Sequence, residues 1–408
     1  MKTIYKILIF LIAVHGAAIA QVVPAATGPE TIPAGRSLEY AVRYGQTAQF
    51  STTFPTMVLG TGSGSVTFIN GSERRPFTAE YSGGYTWTIS GPGFETGQFH
   101  RLFLTQGVNS KRWKATISDD ASYLPQAPTT GFSGIPGTGE PIGVINPAPA
   151  SGQSILTLNT HAVENNGSGS LEFVLSNATT ISAGGDSQLL RYPDGDGLDT
   201  DAISANATIV RALNGRDSLS ATYIYADFTY PQYLVTFETN SGLLGYRHKW
   251  ARNLTTNIAA GPQSLKSSIV IPSSINVTVN ASVDYLLRFS SFDMSYNRGT
   301  NGGAGYLFGA QVDSVAGNFS HEFGTDWTIG LTGGYLRTAG LSNNGVTNSI
   351  FGGAEGTWRI SRQIIAFANY TGTTQSSTSA LPSTALNQLM QTIGFGIGYS
   401  PRPKRVRQ

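Results

Sequence analysis

The 408-residue chain has no cysteine, which excludes a disulfide framework, thiol catalysis and thiolate metal sites. Charge is scarce as well. Asp, Glu, Lys and Arg together make up 12% of the chain, about half the share of an ordinary soluble domain. No apolar run reaches the roughly 18 residues that a spanning helix needs. With 40% hydrophobic and 11% aromatic residues, the chain also lacks the composition of a disordered protein. What fills the gap is Gly, Ser, Thr, Asn and Tyr, arranged with a period of two.

Ile275 to Phe289 shows that period most plainly. Ile275, Val277, Val279, Ala281, Val283, Tyr285, Leu287 and Phe289 alternate with Asn276, Thr278, Asn280, Ser282, Asp284, Leu286 and Arg288. Side chains of a strand point alternately to opposite faces, so this is a two-faced strand and not a helix. Its length exceeds the roughly 5 to 6 residues usual in soluble sheets and suits a tilted strand crossing a bilayer, which takes roughly 9 to 11. Phe77 to Ile89 repeats the pattern, with Thr78, Glu80, Ser82, Gly84, Thr86 and Thr88 between the apolar positions. An apolar face on lipid and a polar face on water is the arrangement of a transmembrane β-barrel.

The N-terminus fits export. Lys2 and Lys6 precede an apolar run from Ile7 to Val14, and Ala18-Ile19-Ala20 forms a small-x-small cleavage site. Residues 1–20 are therefore expected to be a signal peptide cleaved on the general secretory pathway, an uncleaved anchor being the alternative. Without Lys2 and Lys6 the mature chain has equal numbers of basic and acidic residues, which gives no electrostatic ground for nucleic-acid binding. Residues 21–36, with Pro24, Pro29 and Pro33, read as a periplasmic lead-in. Residues 37–400 read as one all-β transmembrane antiparallel barrel of about 18 strands, or 16 if the first hairpin stands outside it. Residues 401–408 form a basic tail.

Turn residues divide the barrel into tight connections, among them Asn109-Ser110, Asn177-Ala178, Asn214 to Asp217, Arg252-Asn253, Ser290 to Phe292, Gly324 to Asp326 and Ser361-Arg362, and looser ones. Short turns on one rim and longer loops on the other make the short ones periplasmic. Between Tyr306 and Phe323 the parity changes from Val312 to Val315, which predicts a β-bulge or a segment rising above the membrane. A soluble β-sandwich is the competing fold; its shorter strands match this length less well.

In the last strand, Thr392, Gly394, Ile397 and Tyr399 resemble the C-terminal signal by which the barrel-assembly machinery recognises outer-membrane barrels. Here a tail, Ser400 to Gln408, follows the aromatic residue. Together with the Gly-rich phrases Thr130 to Gly137 and Thr239 to Tyr246, these features resemble porin-like outer-membrane β-barrel proteins of Gram-negative bacteria. The resemblance implies location in the cell outer membrane, contact with its lipid, and passive diffusion of small hydrophilic solutes. Homo-trimers are implied by the same analogy. Alternatives are a conduit for polysaccharide or another exported polymer, and a non-conducting structural or surface-binding barrel.

Inward parity is expected to give the lumen the charges Arg43, Glu80, Arg112, Lys114, Asp120, Glu172, Asp186, Arg247, Lys249, Asp284, Arg288, Glu355 and Arg359. The basic members Arg112, Lys114, Arg247, Lys249, Arg288 and Arg359 fall near the tight turns. They form an anion-favouring mouth, or they pair with carboxylates and brace the wall. The long segment from Pro125 to about Asn165 either constricts the lumen or caps it. Asp194, Asp196, Asp199 and Asp201 have the oxygen-rich spacing of a calcium loop without its terminal Glu; a plain solvated loop is the other reading. No cofactor is expected. Nor is catalysis: His100, His161, His248 and His321 accompany no hydrolase or zinc motif.

Overall fold

The computed structural model describes residues 36–52, 55–91, 97–124, 161–195, 197–267, 271–303, 306–342, 345–378, 388–401 and 404–405. The expected signal peptide, the lead-in up to residue 35, residues 125–160 and Asp196 lie outside them. The described chain consists of β1 (Arg36–Ser51), β2 (Met57–Asn70), β3 (Phe77–Ser90), β4 (Gly97–Asn109), β5 (Trp113–Leu124), β6 (Ala162–Ser176), β7 (Thr179–Arg191), β8 (Thr200–Ala212), β9 (Asp217–Tyr230), β10 (Val235–Ala251), β11 (Leu254–Ser267), β12 (Ser274–Leu286), β13 (Ser290–Asn301), β14 (Ala310–Phe323), β15 (Trp327–Gly340), β16 (Val346–Arg359), β17 (Ile364–Ser377), β18 (Gln388–Tyr399) and the two-residue β19 (Lys404–Arg405).

Each strand from β1 to β18 pairs antiparallel with its chain neighbours, and β18 pairs with β1 from Val42↔Tyr399 to Ser51↔Met390. The sheet is thus a closed cylinder of eighteen strands. The alternative of 16 fails because the first hairpin supplies the closing strand itself. The C-terminal tail adds a short pairing, Lys404 opposite Leu38 and Arg405 opposite Ser37, beside the start of β1.

Alternation fixes which way the wall faces. Ile117 is 69% exposed, Leu244 75% and Ile275 81%, whereas residues of the opposite parity such as Thr47, Thr61 and Ser349 are buried. Exposed apolar residues recur on one face of nearly every strand, from Val42 and Tyr44 in β1 to Phe395 and Ile397 in β18. An inside-out distribution of this kind cannot gain stability from water. It is the distribution that lipid rewards, because every backbone N–H and C=O inside a closed sheet already has its partner.

The connections at 110–112, 177–178, 213–216, 252–253, 287–289, 324–326 and 360–363 share one end of the cylinder with the start of β1 and the end of β18. This is the turn end. The opposite loop end carries, among others, the connections at 125–161, 192–199 and 302–309. Ser290 to Phe292, expected as a turn, belongs to β13; the turn sits at 287–289. The expected bulge in Tyr306 to Phe323 is absent: β14 keeps unbroken register with β13 and β15 throughout. The parity change has another cause. Val312 packs inward on Tyr306, Leu307 and Ala310, while Val315 faces outward. Register shifts do occur at Val58/Leu59, Val174/Ser176 and Lys249/Ala251.

The closing seam is tightly built. A Cβ at Gly396 of β18 would run into the Phe367 ring and the Tyr44 carbonyl oxygen, whereas one at Gly356 would meet nothing. Gly396→Val should therefore cost about 1–3 kcal/mol of overpacking and lower the temperature at which the folded band disappears in unboiled gel electrophoresis. Gly356→Ala should leave that temperature unchanged. Equal behaviour of the two variants would show that β1–β18 closure does not limit stability.

Candidate functional site

The inner face of the cylinder gathers most of the charges that the sequence pattern assigns to it. Of the charges expected there, Arg43, Glu80, Lys114, Asp120, Glu172, Asp186, Arg247, Lys249, Asp284, Glu355 and Arg359 lie on strands with the parity opposite to the exposed apolar residues. Arg112 and Arg288 do not. They sit in the turn-end connections 110–112 and 287–289, with the Arg288 guanidinium 4.9 Å from the Phe289 ring centre. Strand ends overshoot their hydrophobic pattern, so parity alone extends a wall that has already turned.

Strand register brings several of these charges together. Asp120 holds Arg101 in a bidentate pair, with Nε–Oδ1 at 2.9 Å and Nη2–Oδ2 at 2.7 Å. Two parallel N–H···O bonds fix a guanidinium far better than one. Arg101 faces a pocket shared with Glu80, Ser82 and Phe103, and Arg43 feels the carboxylates of Glu80 and Glu355. Lys114 stands opposite Glu172, and Asp284 opposite Asp293.

Sequence reasoning missed Arg101, Glu39, Glu164, Asp293 and Glu322. In β4 the cause is concrete: inward Phe99 and Phe103 flank Arg101, while outward His100 sits beside Leu102, so the two faces differ little in hydrophobicity.

The loop end holds the larger surprise. The described parts of the 302–309 connection, 302–303 and 306–309, bend inward and pack on strands several places away around the cylinder. The Tyr230 hydroxyl, in a fully buried side chain, donates to the Gly302 carbonyl at 2.9 Å. The Phe308 ring meets Tyr230 edge-on at 5.2 Å and Tyr233 likewise. Tyr306 tilts against Tyr192 at 5.9 Å. Beneath them lies an apolar cluster of Phe228, Tyr230, Val235, Phe237, Leu265 and Ile271. Gly309 permits the bend: its φ is +75°, and a Cβ there would press on Phe237 and Leu341 at 2.7 and 2.6 Å. Burying each large apolar side chain contributes roughly 1.5–3 kcal/mol, so the fold-in holds as a fixed part of the wall. The signal was visible in the sequence as Tyr306-Leu307-Phe308 between glycines. The candidate constriction Pro125 to Asn165 falls mostly outside the described residues.

Three of the four aspartates of the suspected calcium loop are described, and each has a protein partner. Asp194 bonds the His161 ring; Asp199 accepts from the Tyr192 amide at 2.9 Å; Asp201 takes Nη2 of Arg191 at 2.6 Å. Charge pairing and an amide bond engage these three carboxylates, while Asp196 lies outside the described residues. Among the described residues no group of three or more His, Asp or Glu could hold a metal.

The histidines serve local bonds. His100 meets the Tyr81 hydroxyl at 2.7 Å, and His248 meets Asp217 at 2.6 Å beside Tyr246 and Trp250. His321 Nδ1 lies 2.7 Å from the Ser290 hydroxyl on the outer face. Among the described residues no carboxylate or carboxamide bonds its other nitrogen. The assembly-signal residues all lie in β18, Thr392 and Gly394 facing inward and Ile397 and Tyr399 outward.

No family model matches the chain, and no curated protein matches it. Among solved structures it is similar to OccAB4 of Acinetobacter baumannii, with 6% identity, a TM-score of 0.49, and coverage of 90% of this chain and 98% of that one. It is similar to OccK2 (OpdF) of Pseudomonas aeruginosa at 12% identity and TM-score 0.49, covering 91% and 98%. The outer membrane protein opdK of Pseudomonas aeruginosa gives 9%, 0.47, 90% and 98%. The fold itself stands on the strand register, independently of these likenesses.

The His161 bond holds the Asp194 carboxyl below its ordinary range. A depressed carboxylate stabilises its contact above the unfolded pKa and loses it as pH falls through the folded one. Hydrogen exchange in 192–195 should therefore stay slow at neutral pH and rise below about pH 4, and Asp194→Asn should remove that pH step. A step that persists in the variant would assign it to another group.

Proposed function

We propose that the mature chain is an outer-membrane channel through which small hydrophilic solutes diffuse passively. One observation carries the reading: a closed eighteen-stranded cylinder with its apolar residues exposed outside and its charges on the inner wall. Barrels of 16 to 18 strands leave room for water along the axis. The inward 302–309 segment narrows that room, which favours small solutes over the polymer-conduit alternative. The same reading makes outer-membrane lipid the solvent of the apolar face and the barrel-assembly machinery the partner of β18. It also retains the cleaved signal peptide of residues 1–20. Self-association, including the expected trimer, has a candidate seat on the outer face of β5 to β8, where Gly167, Gly169, Gly185, Ala205 and Ala207 leave the wall flat around the Asp119–Asn165 pair.

Charge along the axis is uneven. The turn-end connections carry Arg74, Arg75, Lys111, Arg112, Arg216, Arg252, Arg288 and Arg362 against Glu73 and Asp326. The loop-end connections carry Glu95, Glu140, Asp194, Asp196 and Asp199 with no Lys or Arg. A ring of fixed cations at the periplasmic mouth raises the local anion concentration. In a planar bilayer under a salt gradient the reversal potential should show mild anion preference, and exchanging Arg74, Arg75, Arg112 and Arg288 for Gln should remove it. Cation preference in the unaltered channel would overturn the mouth assignment.

The constriction is tested separately. Replacing residues 303–308 by a short Gly-Ser turn should raise single-channel conductance about twofold, since access to the axis widens. Unchanged conductance would place the narrowest point elsewhere.

A further inference from the structure

On the outer wall, Arg298 of β13, Asp313 of β14 and Arg337 of β15 stand directly opposite one another on three consecutive strands. They share the face that carries exposed Phe319, Ile329 and Leu331, so they point away from the lumen. Each lies close to the loop end of its strand, near Asn301, Ala310 and Gly340 respectively. A charged group on that face is costly at mid-belt and affordable only where lipid headgroups begin.

The trio has the geometry of an anion cradle. Asp313 takes Nη1 of Arg298 at 3.1 Å on one oxygen and Nη1 of Arg337 at 3.3 Å on the other. The Tyr296 hydroxyl donates to it as well, at 3.3 Å. The carboxylate is largely covered at 14% exposure, while the two guanidinium side chains are 41% and 40% exposed. One largely covered carboxylate thus aligns two arginines and cancels one of their two charges. Among the described residues no further protein partner takes the remaining N–H donors of either guanidinium, each of which has five.

Neighbouring groups leave that excess positive charge intact. On the outer face of β12 to β16, Asp313 is the sole described carboxylate; the polar company toward the loop end is Tyr296, Thr300, Gln311, Tyr335 and Asn348, and Ser290 and His321 lie at the turn end. The other charged patches at the loop-end rim are balanced or acidic: Lys266 pairs with Glu238, which faces Asp227, and Arg191 pairs with Asp199 and Asp201.

We propose that Arg298 and Arg337, aligned by Asp313, bind the phosphate of a membrane-lipid headgroup. Arginine suits phosphate because its planar donors match two oxygens at once. The lipid source, rather than free phosphate, follows from placement: Val315, Phe319 and Leu331 continue the same face toward mid-belt, where acyl chains attached to that headgroup would lie. The inference rests on the outward face meeting lipid.

The test is native mass spectrometry of the purified chain in detergent micelles doped with a bis-phosphorylated glucosamine lipid, or with the same lipid after phosphate removal. Wild type should retain the phosphorylated form at least tenfold more than the dephosphorylated one. R298Q/R337Q should lose that ratio, and Arg337→Gln alone, which keeps Asp313 paired, should reduce it several-fold. Lys266→Gln should leave it unchanged, and unboiled gel mobility should be the same for all variants, which separates lost binding from lost folding. Equal retention of both lipids by wild type would overturn the proposal, as would a ratio unaffected in R298Q/R337Q. Displacement of the lipid by equimolar inorganic phosphate would assign the site to free anion instead. A chain that held neither lipid and stayed soluble without detergent would refute the membrane reading itself, a separate outcome.

Discussion

Everything in this molecule depends on the pairing of its first strand with its last. Within hydrocarbon an unpaired backbone N–H or C=O costs several kcal/mol, and an open sheet exposes a row of them along both edges. The pairing from Val42↔Tyr399 to Ser51↔Met390 removes both edges at once. Once the cylinder is closed, side chains need not shield the backbone, and the outer face is free to be apolar while the inner face carries charge. Small residues at the seam, Gly394, Gly396 and Gly398 facing Thr47, Gly45 and Arg43, let the two strands meet without side-chain interference.

Closure also explains how the lumen is furnished. Because strand neighbours are chain neighbours, a charge on one strand meets its partner on the next: Arg101 with Asp120, and Lys114 opposite Glu172. Only a connection at an open end can reach across several strands. The 302–309 segment does so, and it is apolar because it must pack against the inner wall at Tyr230 and Phe237 without water. Charge and constriction therefore arise from different parts of the chain and are separable by mutation.

Much of the fold was legible from the alternation alone, since a two-faced strand such as β12 admits one orientation in a closed wall. Strand number, antiparallel order and the common end of the two termini follow from it. Parity becomes uninformative where both faces carry rings, as around Arg101, and where a strand passes into its turn, as at Arg112 and Arg288. Val312 and Val315 show a third limit. An apolar residue facing inward is indistinguishable in sequence from a shift of register, unless the partner it packs on, here Tyr306 and Leu307, is known. The Arg298–Asp313–Arg337 trio was illegible for the same reason, because it needs three strands in register.

All five tryptophans test the central claim together. Trp87, Trp113, Trp250, Trp327 and Trp358 sit on the outward face, Trp113, Trp250, Trp327 and Trp358 at the turn end and Trp87 toward the loop end. Trp327 and Trp358 stack at 5.3 Å there, as aromatic girdles do at a membrane interface. With the chain reconstituted in vesicles, spin-labelled lipids bearing the label near the headgroup should quench most of the tryptophan emission, and aqueous iodide should quench little. Strong quenching by iodide with none by the lipids would place the rings in water or in a soluble core, and would contradict the lipid-facing wall.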